Sequence, residues 1–102
     1  MSNNKRKINV TPRAKADLEE IWNYSFDVWG EAQADKYTQA LFSKLEQLAH
    51  QPFIGRNRHD IAQEYYSFPH YEHVIFYIFD EENLNIIGIL HKRMDVLNYF
   101  NN

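Results

Sequence analysis

Apolar residues recur every three or four positions along residues 12–29, and the positions between them are mostly charged. The apolar stripe consists of Ala14, Leu18, Ile21, Trp22, Ser25, Val28 and Trp29. This spacing predicts an amphipathic helix whose stripe, including both tryptophans, packs into the core. Thr11 and Pro12 predict its start, because a threonine hydroxyl caps free backbone N–H groups and proline is tolerated in the first turn. Gly30 predicts its end.

A second stretch of the same periodicity starts at about Glu31 and ends at Gln51-Pro52. Its stripe consists of Ala34, Tyr37, Leu41, Leu45 and Leu48. Only a glycine-centred turn separates the two helices, so we expect an antiparallel hairpin whose stripes face each other and a sheet.

Four other segments have the composition and alternation of strands. They are Lys5 to Val10, Glu64–Phe68, His73–Phe79 and Leu84–His91, with turns at 69–72 and 80–83. Residues 52–63 predict an ordered loop anchored by Phe53, Ile54 and Ile61.

The order of these elements predicts an α+β domain, β-α-α-β-β-β, with an antiparallel sheet and the helical hairpin packed on one face. The chain of 102 residues predicts one domain, residues 1–102, in which residues 1–4 are frayed. Residues 73–79 are apolar at both alternating sets of positions, which indicates a central strand partly covered on each face. We expect Tyr77 or Tyr66 to lie near the face opposite the helices.

Composition agrees with a folded protein, since 44% of the residues are hydrophobic and 16% are aromatic. No apolar run reaches the length of about 20 residues that spans a bilayer. The chain has no cysteine, which fits a reducing compartment, so we expect a cytoplasmic protein.

The formal net charge is −3, whereas proteins that bind nucleic acid usually carry a basic excess. We therefore expect no direct binding to nucleic acid. Any basic patch is local, at the N-terminal arm, at Arg56 and Arg58, or at Lys92 and Arg93.

The run from Ile87 to Asp95 is the most informative segment, because an apolar strand ends there in a cluster of charged and titratable side chains. Together with two other basic residues and one tyrosine, this cluster supplies the candidate contact residues: His91, Lys92, Arg93, Asp95, Arg56, Arg58 and Tyr77. A purely structural reading competes with this one. It places Arg93 in an ion pair with Asp95 or Asp17 and has His91 cap the end of the strand by hydrogen bonds.

From Val10 to Asp95 the chain resembles the ParE toxins of the RelE/ParE superfamily, which belong to bacterial type II toxin–antitoxin pairs. The resemblance is carried by Ala14, Asp17-Leu18, Ile21-Trp22-Asn23-Tyr24, Trp29-Gly30, Gln33-Ala34, Tyr37, Leu48-Ala49, Pro52, Gly55-Arg56, His73-Val74-Ile75-Phe76-Tyr77 and Ile89-Leu90-His91-Lys92-Arg93-Met94-Asp95.

The resemblance implies a small protein without cofactor that is not an enzyme. It implies that the protein inhibits DNA gyrase and blocks replication until a cognate antitoxin binds. Antitoxins of this type fold on binding, by placing a helix in a groove or adding to a sheet edge. Since this chain is acidic, we expect its antitoxin to rely on apolar grooves or to be less acidic than usual.

Two alternatives remain open. RelE-like relatives cleave messenger RNA on the ribosome, which needs a base, an acid and a cation for the phosphate. Glu64 or His91 is available as the base, and His91 or Tyr77 is available as the acid. The cation is available from Arg56, Arg58 or Arg93. The other alternative is a non-toxic relative that binds antitoxin, because ParE-like chains usually carry a glycine and an arginine where this one has Glu64-Tyr65-Tyr66. The five histidines show no recognised metal-binding spacing, so we expect no metal site.

Overall fold

The two long helices and the strands follow one another in the predicted order, with two short elements added. The computed structural model describes residues 5–101, so the predicted fraying of residues 1–4 lies outside the described residues. The elements are β1 (Lys7–Val10), α1 (Pro12–Trp29), α2 (Glu31–His50), β2 (Arg56–Asn57), β3 (Tyr66–His70), β4 (His73–Phe79), β5 (Asn83–His91) and α3 (Val96–Phe100), with a 3-10 turn at Pro52–Ile54.

The strands form one sheet in the order β1-β5-β4-β3-β2. The α+β class and the packing of the helical hairpin on the sheet confirm the predicted fold. Strands β3 to β5 pair antiparallel as predicted, and β2, which lies within the predicted loop, pairs antiparallel with β3. By contrast, β1 pairs with β5, the last strand of the meander, and the two strands are parallel. The prediction of an antiparallel sheet was wrong for this pair.

The ends of α1 follow from local chemistry, as the sequence predicts. The Thr11 hydroxyl accepts a hydrogen bond from the Ala14 N–H at 3.2 Å, and Pro12 occupies the first turn. Gly30 has φ of +96°, a conformation that side chains with a Cβ disfavour, and α2 begins directly after it. The hairpin therefore needs only one connecting residue.

The main core lies between the hairpin and one face of the sheet. A bulge in β5 places two residues opposite one on β4, since Tyr77 pairs with Ile86 and Phe76 pairs with Gly88. The bulge shifts the alternation, so Ile86 and Ile89 both contribute to this core. Its buried members are Ala14, Ile21, Leu41, Leu45, Leu48, Ala49, Ile75, Tyr77, Leu84, Ile86 and Ile89.

The other face of the sheet is partly covered by α3, which the sequence analysis did not predict. Phe100 of α3 packs edge-on against Phe76 of β4, with 5.3 Å between ring centroids, and against Tyr65 at 5.4 Å. Asp95 caps the N-terminus of α3 by accepting the Asn98 N–H at 3.2 Å. Periodicity gives no signal for a helix of only five residues.

Three local predictions were wrong. Trp29 is 68% exposed and Val28 is also exposed, whereas Ile21 and Ser25 of the same stripe are buried. Phe53 is 73% exposed and Ile54 is also exposed, and the loop is anchored instead by Pro52, which is buried. The third strand begins at Tyr66 rather than Glu64, since a turn closed by the Tyr65 N–H and the Ala62 carbonyl precedes it.

Candidate functional site

A groove of about 490 Å³, called the hairpin groove below, lies between the helical hairpin and the ends of β4 and β5. Residues from both helices, both strands and the segment after β5 line it. They are Asp17, Glu20, Ile21, Tyr24, Ser25, Trp29, Gln33, Tyr37, Glu72, His73, Ile89, His91 and Met94.

Aromatic side chains form the outer wall of the groove at the end of α1. Tyr24 is 66% exposed, and Trp29 is exposed to a similar extent. Trp22 does not line the groove; it stacks on Phe26 with 5.2 Å between centroids and donates its indole N–H to Asp35 at 3.1 Å. Exposed aromatics beside a concave surface are typical of protein-binding sites.

A hydrogen-bonded group of rings forms the inner wall. The Tyr37 hydroxyl donates to the His70 carbonyl oxygen at 3.1 Å and shares a hydrogen bond with Nδ1 of His73 at 2.7 Å. The His73 ring lies 5.6 Å from the His91 ring. Burial, with His91 and His70 nearby, lowers the pKa of His73 to about 4, and burial raises the pKa of Tyr37 to about 12. At neutral pH, His73 and Tyr37 are therefore uncharged.

The formal charges that line the groove are negative, because three of its lining residues are acidic and none is Lys or Arg. Asp17 has a structural role, because its Oδ2 accepts hydrogen bonds from the Ile89 N–H at 2.9 Å and from the Tyr99 hydroxyl at 2.6 Å. Glu72 is exposed and lies 3.4 Å from Nζ of Lys92. Glu20 is exposed on α1.

Of the C-terminal candidates His91, Lys92, Arg93 and Asp95, only His91 lines the groove. His91 lines it, and its Nδ1 accepts the Arg93 N–H at 3.2 Å, as the structural reading of this segment predicts. Arg93 makes neither of the predicted ion pairs, because among residues 5–101 no salt bridge joins it to Asp17 or Asp95. Arg93 is exposed beside the groove.

Arg56 and Arg58 lie elsewhere on the sheet. Arg58 donates two hydrogen bonds to the Asp60 carboxylate, at 3.0 and 2.9 Å, and lies over the Phe76 ring on the face opposite the hairpin. This contact holds the pKa of Asp60 below its usual value. Across the sheet, Arg56 is aligned with Gly88 of β5, three strands away, and His91 lies three residues further along β5. The regular spacings of a sheet then separate Arg56 from His91 by roughly 17 Å.

Tyr77 does not reach the surface. It is fully buried, in contrast to the predicted position near an open face, and its hydroxyl donates to the Pro52 carbonyl oxygen at 2.6 Å. Tyr77 is thus a core residue in this conformation, and the acid, base and cation candidates considered for RNA cleavage do not form one cluster. In the described chain, no group of three or more His, Asp or Glu side chains is placed to hold a metal ion.

Sequence reasoning missed Glu20, Tyr24 and Glu72 of the groove. Glu20 and Tyr24 lie four positions apart on α1 and therefore share a helix face. Tyr24 also lies outside the apolar stripe, which is a signal for an aromatic that faces solvent. Glu72 lies in the turn between β3 and β4, and only the fold brings it to α1.

Comparison with known proteins gives concordant matches over most of the chain. Residues 8–96 match the family described as the ParE toxin of the type II toxin-antitoxin system, parDE. The protein named Toxin ParE1 of Mycobacterium tuberculosis is 36% identical over 88 residues, which cover 85% of this chain and 90% of the relative. Toxin ParE1 of Caulobacter vibrioides is 36% identical over 86 residues, covering 84% and 88%.

Two solved structures share the fold. One, described as the chromosomal ParDE TA system from P. aeruginosa, has a TM-score of 0.72 at 16% identity and covers 87% of this chain and 98% of that chain. The other is a YoeB dimer from Staphylococcus aureus, with a TM-score of 0.61 at 17% identity, covering 85% and 97%. In the described part of the chain, no helix has the length and apolar character needed to cross a membrane.

Proposed function

The chain belongs to the ParE toxin family of type II toxin–antitoxin systems, and from this membership we propose that it binds and inhibits DNA gyrase and blocks replication until a cognate antitoxin neutralises it. The observation that carries the proposal is the family match from residue 8 to residue 96, which extends from β1 to the start of α3. Gyrase inhibition is the activity that the sequence resemblance implies.

Two physical features support action by protein binding. The net charge of −3 disfavours approach to RNA or DNA, because phosphates repel an acidic surface. The hairpin groove has exposed aromatic side chains of the kind that anchor protein interfaces. We therefore propose a toxin with two protein partners, gyrase and the antitoxin, in the cytoplasm.

We propose that His91, Lys92 and Arg93 contribute to the gyrase contact. Lys92 and Arg93 are exposed and follow directly after β5, so their side chains are available to a partner without unfolding of the sheet. Arg93→Ala and His91→Ala should each reduce growth inhibition in cells, measured as colony counts after induction. Lys36→Ala, which removes an exposed cation from α2, is the matched control and should leave growth inhibition unchanged.

Ribosome-dependent cleavage of messenger RNA is the second candidate. The observation in its favour is the set of proton-transfer groups in the groove, His73, His91 and Tyr37. No Lys or Arg lines the groove; among the three cation candidates, Arg56 and Arg58 lie on the far side of the sheet and Arg93 lies beside the groove. This geometry favours the gyrase proposal. A non-toxic family member that only binds antitoxin is the third candidate, motivated by Glu64-Tyr65-Tyr66.

The test is a titration of purified, folded protein into a DNA supercoiling reaction with purified gyrase. The proposal expects loss of supercoiling that the antitoxin, encoded by the neighbouring gene, relieves. Undiminished supercoiling would contradict it. In that case, cut transcripts on ribosomes after induction in cells would identify an endoribonuclease, and normal growth without cut transcripts would identify the non-toxic relative.

A further inference from the structure

We propose that the hairpin groove binds a lysine or arginine side chain of the antitoxin, with Glu20 and Glu72 supplying the opposite charge and Tyr24 and Trp29 the aromatic wall. This inference rests on the proposed function, because it names the chemistry by which the neutralising partner is recognised. It predicts an antitoxin segment that is apolar with a basic anchor, rather than an acidic tail.

The charges of the groove select the sign of the occupant. Asp17, Glu20 and Glu72 line it, and no Lys or Arg does. His73 stays neutral near pH 7 because burial lowers its pKa to about 4. A carboxylate entering the groove would meet like charges, whereas an ammonium or guanidinium group would meet opposite ones.

The carboxylates differ in their availability. Asp17 already accepts hydrogen bonds from the Ile89 N–H and the Tyr99 hydroxyl. Glu72 pairs only with exposed groups, Lys92 at 3.4 Å and His91 at 4.0 Å, and exposed pairs of this kind contribute little to stability. The Glu20 carboxylate makes no hydrogen bond or ion pair with any residue in the described range. Glu20 and Glu72 are therefore available to a partner.

The aromatic and apolar walls suit a long cationic side chain. Tyr24 and Trp29 present exposed rings, which attract cations through the negative face of the π system. Ile21, Ile89 and Met94 offer apolar surface for the methylene groups of lysine or arginine. A small inorganic cation would leave this apolar surface uncovered.

The occupant is expected to be a protein segment because the groove is lined by residues of both helices, the β3–β4 turn and the segment after β5. It runs from the hairpin tip at Trp29 to the strand ends at Glu72 and His91. A chain laid along it would contact α1, the β3–β4 turn and the segment after β5 together. The acidic toxin, with a net charge of −3, favours a basic partner as a whole.

The experiment measures the dissociation constant of the purified antitoxin for the full-length toxin and its variants by titration calorimetry. Glu20→Gln and Glu72→Gln should each weaken binding roughly tenfold, because each removes a charge-assisted contact. Glu20→Lys should weaken it further, and raised NaCl should weaken binding by wild type more than by Glu20→Gln. Glu19→Gln, an exposed neighbour on the same helix that does not line the groove, is the matched control and should bind as wild type does.

A second arm identifies the basic residue. Each Lys and Arg of the antitoxin is changed to Glu in turn, and each variant is titrated against wild type and against Glu20→Lys. The inference expects one antitoxin variant that binds wild type poorly and binds Glu20→Lys better than wild-type antitoxin does.

The outcomes separate the two proposals. Wild-type binding that is unchanged by Glu20→Lys and Glu72→Gln would overturn the inference and leave the proposed function intact. Weakening by Trp29→Ala without weakening by either glutamate variant would also overturn it, in favour of a purely apolar occupant. A folded toxin that neither binds the antitoxin nor inhibits gyrase would overturn both.

Discussion

At the scale of single residues, Tyr77 and Gly55 depend on each other. The Tyr77 hydroxyl is buried and donates to the Pro52 carbonyl, and a Cβ at position 55 would lie 1.9 Å from that hydroxyl and 2.9 Å from the Ser67 carbonyl oxygen. Gly55 is thus required by the close approach of a side chain, and Tyr77 fixes the loop that follows α2.

Tyr77→Phe should lower the free energy of unfolding by about 1–2 kcal/mol, because the Pro52 carbonyl oxygen loses its short hydrogen bond and keeps only the longer one from the Gly55 N–H. Gly55→Ala should lower it more, since the new methyl group meets the hydroxyl. In the Tyr77→Phe background Gly55→Ala should be less destabilising, and a double-mutant cycle from urea unfolding measures the difference. Strictly additive effects would contradict the contact.

His73 should make stability depend on pH below neutrality. Its folded pKa of about 4 lies below the unfolded value of 6.5, so the unfolded chain binds a proton first as the pH falls. The contribution of neutral His73 is complete above pH 6.5 and is lost between pH 6.5 and about 4. His70 acts in the same direction, because burial and nearby Lys44 lower its pKa. Glu72 partly opposes the effect at His73, because its negative charge raises the pKa of that ring.

Urea midpoints measured from pH 7.5 to pH 4.5 should therefore fall less in His73→Gln than in wild type. The glutamine amide N–H can replace Nδ1 of His73 as the donor to the Tyr37 hydroxyl, whose own proton goes to the His70 carbonyl oxygen. His59→Gln, in an exposed loop position, is the control and should fall as wild type does. Identical pH profiles for wild type and His73→Gln would contradict the assignment.

At the scale of elements, α3 gives Asp95 a structural role that competes with target binding. Its carboxylate caps α3, and α3 in turn is held by Tyr99, whose hydroxyl donates to Asp17 and whose ring lies 3.5 Å from the Arg13 guanidinium carbon. Capping and target contact make different demands on this side chain, so substitutions can separate them.

Asp95→Ala should lower the free energy of unfolding by about 1 kcal/mol, because the Asn98 N–H loses its cap. Asp95→Asn should retain nearly full stability, since asparagine caps as well as aspartate does. Thermal unfolding followed by circular dichroism measures both. If Asp95→Asn is stable but not toxic in cells, the charge itself contacts the target.

The sequence predicts those elements whose causes are local and misses those whose causes are distant. The ends of α1 follow from Thr11, Pro12 and Gly30, which act within one helical turn. The parallel pairing of β1 joins Ile8 to Leu84, and no local pattern specifies that partner. The same holds for the residues of the groove. His91 was predicted because it belongs to a local motif, whereas Glu72 was not, because only the fold brings it to the groove.

At the scale of the whole molecule, one core joins both long helices to the sheet. Its buried residues come from α1, α2, β4 and β5, with Ile8 and Val10 of β1 packed against it. Neither the hairpin nor the meander buries its apolar face alone, so we expect residues 5–101 to unfold as one domain.

Unfolding followed by far-ultraviolet and near-ultraviolet circular dichroism should give superimposable transitions in urea. Asn9→Ala removes the side-chain hydrogen bonds from β1 to Asn83 and Asn85. It should nevertheless shift both unfolding curves equally, because the change is transmitted through the shared core. Separate transitions for the two signals would contradict a single cooperative unit.

The unequal surroundings of the two tryptophans have a spectroscopic consequence. Trp22 is stacked on Phe26 and hydrogen-bonded to Asp35, whereas the Trp29 indole stands in solvent at the mouth of the groove. In a Trp22→Phe variant, the emission of the remaining indole should lie at long wavelength and be readily quenched by acrylamide. Any segment that covers the groove should shift that emission to shorter wavelength, so the protein carries its own optical reporter of occupancy.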